Sequence, residues 1–205
     1  MTIKDFGTRV ADVWAGLRPL TRKMVVRAMQ PAGSATPSNS NSAFSFDAHA
    51  DWELSRLLTV LDERAFESEA QANPENFREI RRMANACAAV LQSQTESAEV
   101  FIQLATRALK RADFARVDEL ANALIDRFSA GEMCEIVRQA EHAAIRALAM
   151  EALALIPTVQ LLPLLDDPLY GEIARMSLET QAVEYNSEDA KMLLEDLAAE
   201  RFFND

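Results

Sequence analysis

Residues 113–140 read DFARVDELANALIDRFSAGEMCEIVRQA and open the stretch, 113–199, that decides the fold. Large apolar side chains recur in its first half at the spacing of one helix face. They are Phe114, Val117, Leu120, Leu124 and Phe128. Ser129, with Glu132 three residues later, has the form of a capping box that starts a second helix. The stretch therefore begins with two successive helices.

Two further segments repeat this pairing at intervals of about 29 residues. The first starts at His142 and reads HAAIRALAMEALALI; a helix apolar on most of its circumference favours neighbours on both sides. Pro157 ends it, and Thr158 is predicted to cap a short follower. The second starts at Asp167-Pro168, an N-cap before a proline at the first helical position, and breaks at Asn186-Ser187.

A Leu-Leu-x-Asp turn stands at residues 164–167 and is followed by Pro168. Spaced positions of the next helix carry Ile173, Arg175, Leu178 and Ala182. This pattern resembles the short HEAT-like repeat, and the resemblance lies mainly over 142–199. It implies an all-α fold, a right-handed stack of antiparallel helical hairpins (an α-solenoid) and binding of a partner. It implies no chemistry.

The composition also indicates an all-α protein, since only 5 of 205 residues are glycine and Ala, Leu, Glu and Arg dominate. The net charge of −11 is unevenly divided. Residues 1–30 hold six Lys/Arg and two Asp/Glu, whereas the remainder holds fifteen basic and thirty acidic residues. An acidic body repels phosphate backbones, which argues against nucleic-acid binding. Because no run is long enough to span a membrane and no secretory signal is visible, we expect a cytoplasmic protein.

We expect three regions: a basic amphipathic helical segment at 1–30, a flexible linker at 31–43 and an all-helical repeat domain at 44–205. The first segment carries Trp14 on its apolar side. Its basic side chains are Arg18, Arg22, Lys23 and Arg27. Three interpretations remain open: packing on the protein's own body, docking on an acidic face in the same or another chain, and attachment to an anionic membrane.

Helix starts in the body are predicted from capping residues. Asp47 is predicted to cap a helix over 48–67, and Asn73-Pro74-Glu75 has the form of the clearest helix start in the chain. Thr95 is predicted to cap a helix over 96–111. Apolar side chains expected on buried faces include Trp52, Phe66, Phe114 and Met192.

The compact basic cluster in the body is formed by Arg78, Arg81 and Arg82. It is interpreted either as a solvated face paired with Glu75 and Glu79 or as a site for an anion or carboxylate.

No catalytic or ligand-binding motif is present. Cys87 and Cys134 are interpreted as small buried residues in a reducing compartment. His49 and His142 lie far apart, so no metal site is expected. The sequence has no nucleophile–base pair and no glycine-rich phosphate loop. We therefore expect that the protein binds no cofactor and is not an enzyme.

The predicted function is non-catalytic protein–protein interaction, by an adaptor or scaffold that presents an acidic helical-repeat surface. From Gln160 onward, eleven Asp/Glu stand against three Lys/Arg, so the basic segment is also expected to dock on an acidic face. Expected partner-binding residues are Trp14, Arg18, Arg22, Lys23, Arg27, Arg78, Arg81 and Arg82. The alternatives are a peripheral membrane protein anchored by the N-terminal helix, and a helical domain that binds a small molecule or acts as an enzyme.

Overall fold

The computed structural model describes residues 3–30 and 46–204, and within these ranges the chain is helical and contains no strand. This confirms the all-α class. Contacts between Cα atoms divide the chain into an N-terminal unit, Met1–Thr95, and a C-terminal unit, Glu96–Asp205. The boundary falls inside the expected domain 44–205, and the basic segment shares a unit with the helices that follow it. The predicted linker at 31–43 lies outside the described residues.

The described part of the N-terminal unit contains five α-helices after a short 3₁₀ helix, Ile3–Phe6. They are α1 (Thr8–Gly16), α2 (Pro19–Ala28), α3 (Ala48–Phe66), α4 (Ser68–Ala72) and α5 (Pro74–Gln94). α3 packs along α5, α1 packs on α3, and α2 packs on both α3 and α5.

Two predicted helix starts in this unit are confirmed. The Asp47 carboxylate accepts a hydrogen bond from the Ala50 amide at 2.8 Å, and α3 begins at the next residue. The Asn73 side chain accepts from the Asn76 amide at 3.2 Å, and Pro74 occupies the first position of α5. Each side chain satisfies a backbone donor that has no partner within its own helix.

The centre of α3 is buried, but its two ends depart from the expectation. Leu54, Leu57, Leu58 and Leu61 are fully buried, whereas Trp52 is 56% exposed and Phe66 is 75% exposed. Trp52 precedes Leu54 by two residues, which places it about 200° around the helix from the core face. The prediction that both aromatic residues are buried is therefore wrong, because neither shares the face that packs on neighbouring helices.

The described part of the C-terminal unit contains six α-helices and two short 3₁₀ helices, Thr158–Gln160 and Leu162–Leu164. The α-helices are α6 (Ala98–Lys110), α7 (Phe114–Arg127), α8 (Ala130–Gln139), α9 (Ala143–Leu155), α10 (Gly171–Val183) and α11 (Glu188–Asn204). α9 packs against α7, α8 and α10, which confirms the expectation that this largely apolar helix has neighbours on more than one side.

The predicted capping box in this unit is half confirmed. The Ser129 hydroxyl accepts from the Glu132 amide at 3.2 Å and caps α8. The Glu132 carboxylate does not return to its own helix: it accepts from the Ala98 amide at 2.7 Å, at the start of α6. The prediction that Thr95 caps this helix is wrong, because α6 begins only at Ala98 and a carboxylate from α8 meets its first amide.

The helix expected at Pro168 begins three residues later. The Asp167 carboxylate accepts from the amides of Leu169 and Tyr170, at 2.7 and 3.1 Å, so it closes a turn ahead of α10. Gly171 is the first residue of α10, and glycine suits this position because a Cβ would lie 2.6 Å from the Leu165 carbonyl oxygen. Thr158 does not cap a helix either, since its hydroxyl donates to the Gln181 side chain at 2.8 Å.

The break predicted at Asn186-Ser187 is confirmed, with Asn186 in the left-handed region at φ 53°. The Ser187 hydroxyl accepts from the Ala190 amide at 3.3 Å and caps α11. Two further apolar residues expected on buried faces are exposed: Phe114 at 65% and Met192 at 64%. Cys87 and Cys134 are buried free thiols, as expected.

Candidate functional site

Arg18, the first predicted partner-binding arginine, is bonded within the N-terminal unit. Its guanidinium donates two hydrogen bonds to the Asp47 carboxylate, at 2.7 and 3.0 Å, and one from Nε to Glu53 at 3.0 Å. Its backbone amide also donates to Glu53, at 2.7 Å. Because Arg18 is the N-cap of α2, these bonds join the start of α2 to the start of α3.

Glu53 is the centre of this contact, and its side chain is only 2% exposed. Burial opposes ionisation, but hydrogen bonds from the Thr21 hydroxyl and from Arg18 outweigh it, so the pKa of Glu53 is lowered. Hydrogen bonds from Arg18 and from the Ala50 amide hold the pKa of Asp47 well below its usual range. Both carboxylates are therefore ionised at neutral pH and pair with Arg18.

The remaining residues of the basic segment differ in their surroundings. Arg22 donates to the carbonyl oxygens of Leu17 and Ala15, at 2.8 to 3.0 Å, and so joins α2 to the end of α1. Trp14 is half-buried, while Lys23 and Arg27 are exposed. Four apolar side chains that a lipid-binding helix would insert into a membrane are instead buried in the protein. They are Phe6, Val10, Leu17 and Val25.

The second predicted cluster, Arg78, Arg81 and Arg82 on α5, faces solvent. The Arg81 guanidinium lies 5.5 Å from the centre of the Phe77 ring. Arg82 donates to the Met29 carbonyl oxygen at 2.6 Å and pairs with Glu79 at 3.4 Å. None of the three arginines lines the cavity found in this unit, which lies between α1 and α3.

An exposed face of α10 was missed by the sequence reasoning. Four residues recur at intervals of four, three and four, and all four are exposed. They are Glu172, Met176, Glu179 and Val183, here called the α10 stripe. Met176 is 50% exposed and Val183 is 82% exposed. At 100° per residue these positions fall within about 60° of one another, so acidic and apolar side chains alternate along one line of the helix.

The opposite side of α10 accounts for its packing. Leu178 and Ala174 are fully buried, and the buried Gln181 amide donates to the carbonyl oxygens of Leu153 and Ile156 at 3.3 and 2.8 Å. These bonds supply partners for carbonyl groups at the end of α9. The α10 stripe is therefore not needed to hold the helix in place. The signal that could have identified it is the placement of Glu172 and Glu179 on the same helical line as Met176 and Val183.

The two units also differ in charge. Residues 1–95 contain eleven Lys/Arg and eleven Asp/Glu, so this unit is formally neutral. Residues 96–205 contain ten Lys/Arg and twenty-one Asp/Glu and carry the whole net charge of −11. The α10 stripe thus lies on the acidic unit.

In the C-terminal unit, local surroundings shift the pKa values of Glu135 and Cys134. Hydrogen bonds from Arg138, Gln139 and the Tyr170 hydroxyl lower the pKa of Glu135 to about 2, which leaves it ionised and a weak base at neutral pH. Burial raises the pKa of the Cys134 thiol to about 12, so it stays protonated. Within residues 3–30 and 46–204, no three His, Cys, Asp or Glu side chains converge as metal ligands would.

In the described part of the chain, no single helix is long and apolar enough to cross a membrane. Ala143–Leu155 and Thr158–Leu164 are long and apolar enough only when taken together, and the chain bends by 117° between them. Searches for similar proteins found no matching family model, no matching curated protein and no matching solved structure.

Proposed function

We propose that this protein is a non-catalytic interaction module, an adaptor or scaffold, and that the α10 stripe binds a basic amphipathic helix of a partner protein. The apolar side chains of that helix would cover Met176 and Val183. Its Lys or Arg residues would meet Glu172 and Glu179. This mode of recognition lays one face of a helix onto an apolar strip and uses charge to set its register.

The observation that carries the proposal is the exposure of two large apolar side chains in line with two acids. Single exposed apolar residues are ordinary, but apolar groups grouped on one face and bordered by charge are typical of interaction surfaces. The charge division adds to this support, because an acidic unit attracts a basic partner over a distance of about 8 Å at physiological salt.

A HEAT-like, right-handed solenoid remains part of this proposal. It is supported by the packing of helices that follow one another in the chain: α6 on α7, α8 on α9 and α10 on α11. In such stacks a partner commonly binds along an exposed row of helices. A location in the cytoplasm and the absence of catalysis are proposed with it.

A calorimetric titration of the full chain with a synthetic helical peptide tests the proposal. The peptide carries Leu on one face and Lys beside it, and a second peptide carries Glu in place of Lys. We expect binding of the Lys peptide alone. The double variant Met176→Ser, Val183→Ser should weaken it at least ~tenfold, because exposed apolar contacts provide the centre of such interfaces.

Val26→Ser is the matched control, since Val26 is also an exposed apolar residue, at 48%, on a helix of the other unit. It should leave the affinity unchanged. Equal affinity of the wild type and the double variant, or equal binding of the Lys and Glu peptides, would show that the α10 stripe is not the recognition surface.

A further inference from the structure

The N-terminal unit contains a cavity of about 510 Å³ between α1 and α3. This volume lies in the range of small-molecule sites in proteins. Val13 on α1, Leu17 just after α1, and Trp52 and Val60 on α3 give it an apolar part, and its other lining side chains are polar or charged. Gly16, an exposed residue at the end of α1, adds no side chain to the cavity wall. The cavity can therefore accept a small molecule that has both an apolar part and charged groups.

Ion pairs on either side of this cavity fix the register of the two helices. Arg9 on α1 pairs with Glu63 on α3, and Arg18, two residues after the end of α1, pairs with Glu53 on α3. α1 therefore runs antiparallel to α3, and this register places Gly16 opposite Arg56 and Asp12 opposite Thr59. The charged residues at the ends of the register already have partners within the protein. They are Arg9, Glu63, Arg18 and Glu53.

Two oppositely charged, solvent-exposed residues line the cavity, and no described side chain forms an ion pair with either of them. They are Asp12 on α1 and Arg56 on α3. The Arg56 guanidinium instead lies 5.4 Å from the centre of the Trp52 ring. Asp12 precedes Gly16 by four residues, so the backbone positions of Asp12 and Arg56 are offset by about 6 Å, roughly one helical turn, along the helix axes.

This arrangement selects against simple ions. A small anion bound to Arg56 would be repelled by Asp12, and a small cation bound to Asp12 would be repelled by Arg56. A molecule with an ammonium and a carboxylate on one carbon satisfies both residues. Such a zwitterion can make a charge-assisted hydrogen bond of about 2.8 Å at each end, and so can bridge an acid on one helix and a base on the facing helix.

We propose that the cavity between α1 and α3 binds an apolar α-amino acid, with its ammonium on Asp12, its carboxylate on Arg56 and its side chain against Trp52. The site lies wholly within the N-terminal unit. It goes beyond the partner binding proposed for α10 and does not depend on it.

Calorimetric titrations of the full chain with L-leucine and L-phenylalanine test this site. Isocaproate, which is leucine without the amine, and isoamylamine, which is leucine without the carboxylate, are the matched probes. We expect leucine or phenylalanine to bind at millimolar or better affinity. Each truncated probe should bind about tenfold more weakly, because it loses one charge-assisted hydrogen bond and meets one repulsive charge.

Two variants locate the site. Arg56→Gln and Asp12→Asn should each weaken binding of the amino acid about tenfold, while Arg78→Gln, on an exposed arginine of α5 outside the cavity, should leave it unchanged. Far-UV circular dichroism checks that each variant is folded. The proposal is overturned if neither amino acid binds, if the truncated probes bind as tightly as leucine, or if both cavity variants bind normally.

Discussion

The start of α2 and the outer face of α10 are both amphipathic, but the protein uses them in opposite ways. At the start of α2, Arg18 pairs with Asp47 and Glu53, and further along the same helix Val25 is fully buried. On α10, Glu172 and Glu179 alternate with exposed Met176 and Val183. The groups of the first surface already make contacts inside their own unit, whereas the apolar and charged groups of the second surface are accessible to solvent.

This contrast shows why a cluster of charge in a sequence is weak evidence for a binding site. The basic segment is conspicuous because it interrupts an acidic chain, yet the acids of α3 balance it and the N-terminal unit is neutral. The α10 stripe is inconspicuous, because two glutamates and two apolar residues in a helix are ordinary. Accessibility in the folded unit distinguishes the two surfaces, and four stability predictions test that distinction.

The largest difference in stability is expected between substitutions on the two faces of α10. Leu178→Ala should lower the free energy of unfolding by about 2–5 kcal/mol, because it leaves a cavity at a fully buried position. Val183→Ala on the stripe should change it by less than about 0.5 kcal/mol. Urea unfolding followed by far-UV circular dichroism measures both. A large loss on Val183→Ala would mean that the stripe packs against part of the protein.

The next largest effect is expected between α2 and α3. Glu53→Ala should cost about 2–3 kcal/mol, since it leaves donors of Arg18 and Thr21 without their buried acceptor. Glu63→Ala removes an exposed pair between α1 and α3 and should cost less than about 1 kcal/mol. The two tryptophans, Trp14 and Trp52, both belong to this unit, so urea unfolding followed by tryptophan fluorescence reports on it. Equal losses would show that Glu53 is no more important than a surface charge.

A smaller effect is expected at the start of α6. Glu132→Ala should cost about 1 kcal/mol, because its carboxylate acts as a capping acceptor for the Ala98 amide. Glu179→Ala removes an exposed acid from the middle of α10 and should have almost no effect. Hydrogen exchange of the first amides of α6 gives a local test. Unchanged exchange in Glu132→Ala would contradict the capping role.

The smallest effect is expected from moderate acid. Folding lowers the pKa of Glu53 below the ordinary glutamate value of 4.5, so its contribution is present above that pH and is lost as the pH falls towards and through the folded-state pKa. The urea concentration at the midpoint of unfolding, followed by tryptophan fluorescence, should therefore decrease as the pH is lowered below 4.5. Glu53→Gln should show a flatter dependence than wild type. An identical pH dependence in both proteins would assign the acid sensitivity to other carboxylates.

Local sequence signals predicted the helices well where one residue determines the outcome. Asp47, Asn73 and Ser129 each cap the helix expected of them, because a capping side chain bonds to amides only two or three residues away. Thr95 and Asp167 did not behave as predicted. A carboxylate from another helix meets the first amide of α6, and a turn delays α10 to Gly171.

The assignment of buried faces was less predictable, and so was the candidate site. Trp52 and Phe66 were expected in the core because they are large and apolar, but they lie off the line of leucines that packs on other helices. Periodicity gives the faces of a helix, and only the surrounding helices determine which face is covered. For the same reason apolarity alone did not indicate that Met176 and Val183 are exposed, and the sequence signal for it was their alignment with Glu172 and Glu179 on one line of the helix.

Chemical-shift mapping of the isotopically labelled full chain during titration with the Lys peptide tests the central claim most directly, because it reports on both surfaces at once. The account predicts that the perturbed amides cluster on α10 around Met176 and Val183, with those of Arg18 to Arg27 unchanged. Perturbations that centre on the basic segment or on Arg78 to Arg82, or that spread evenly over the acidic residues, would contradict it.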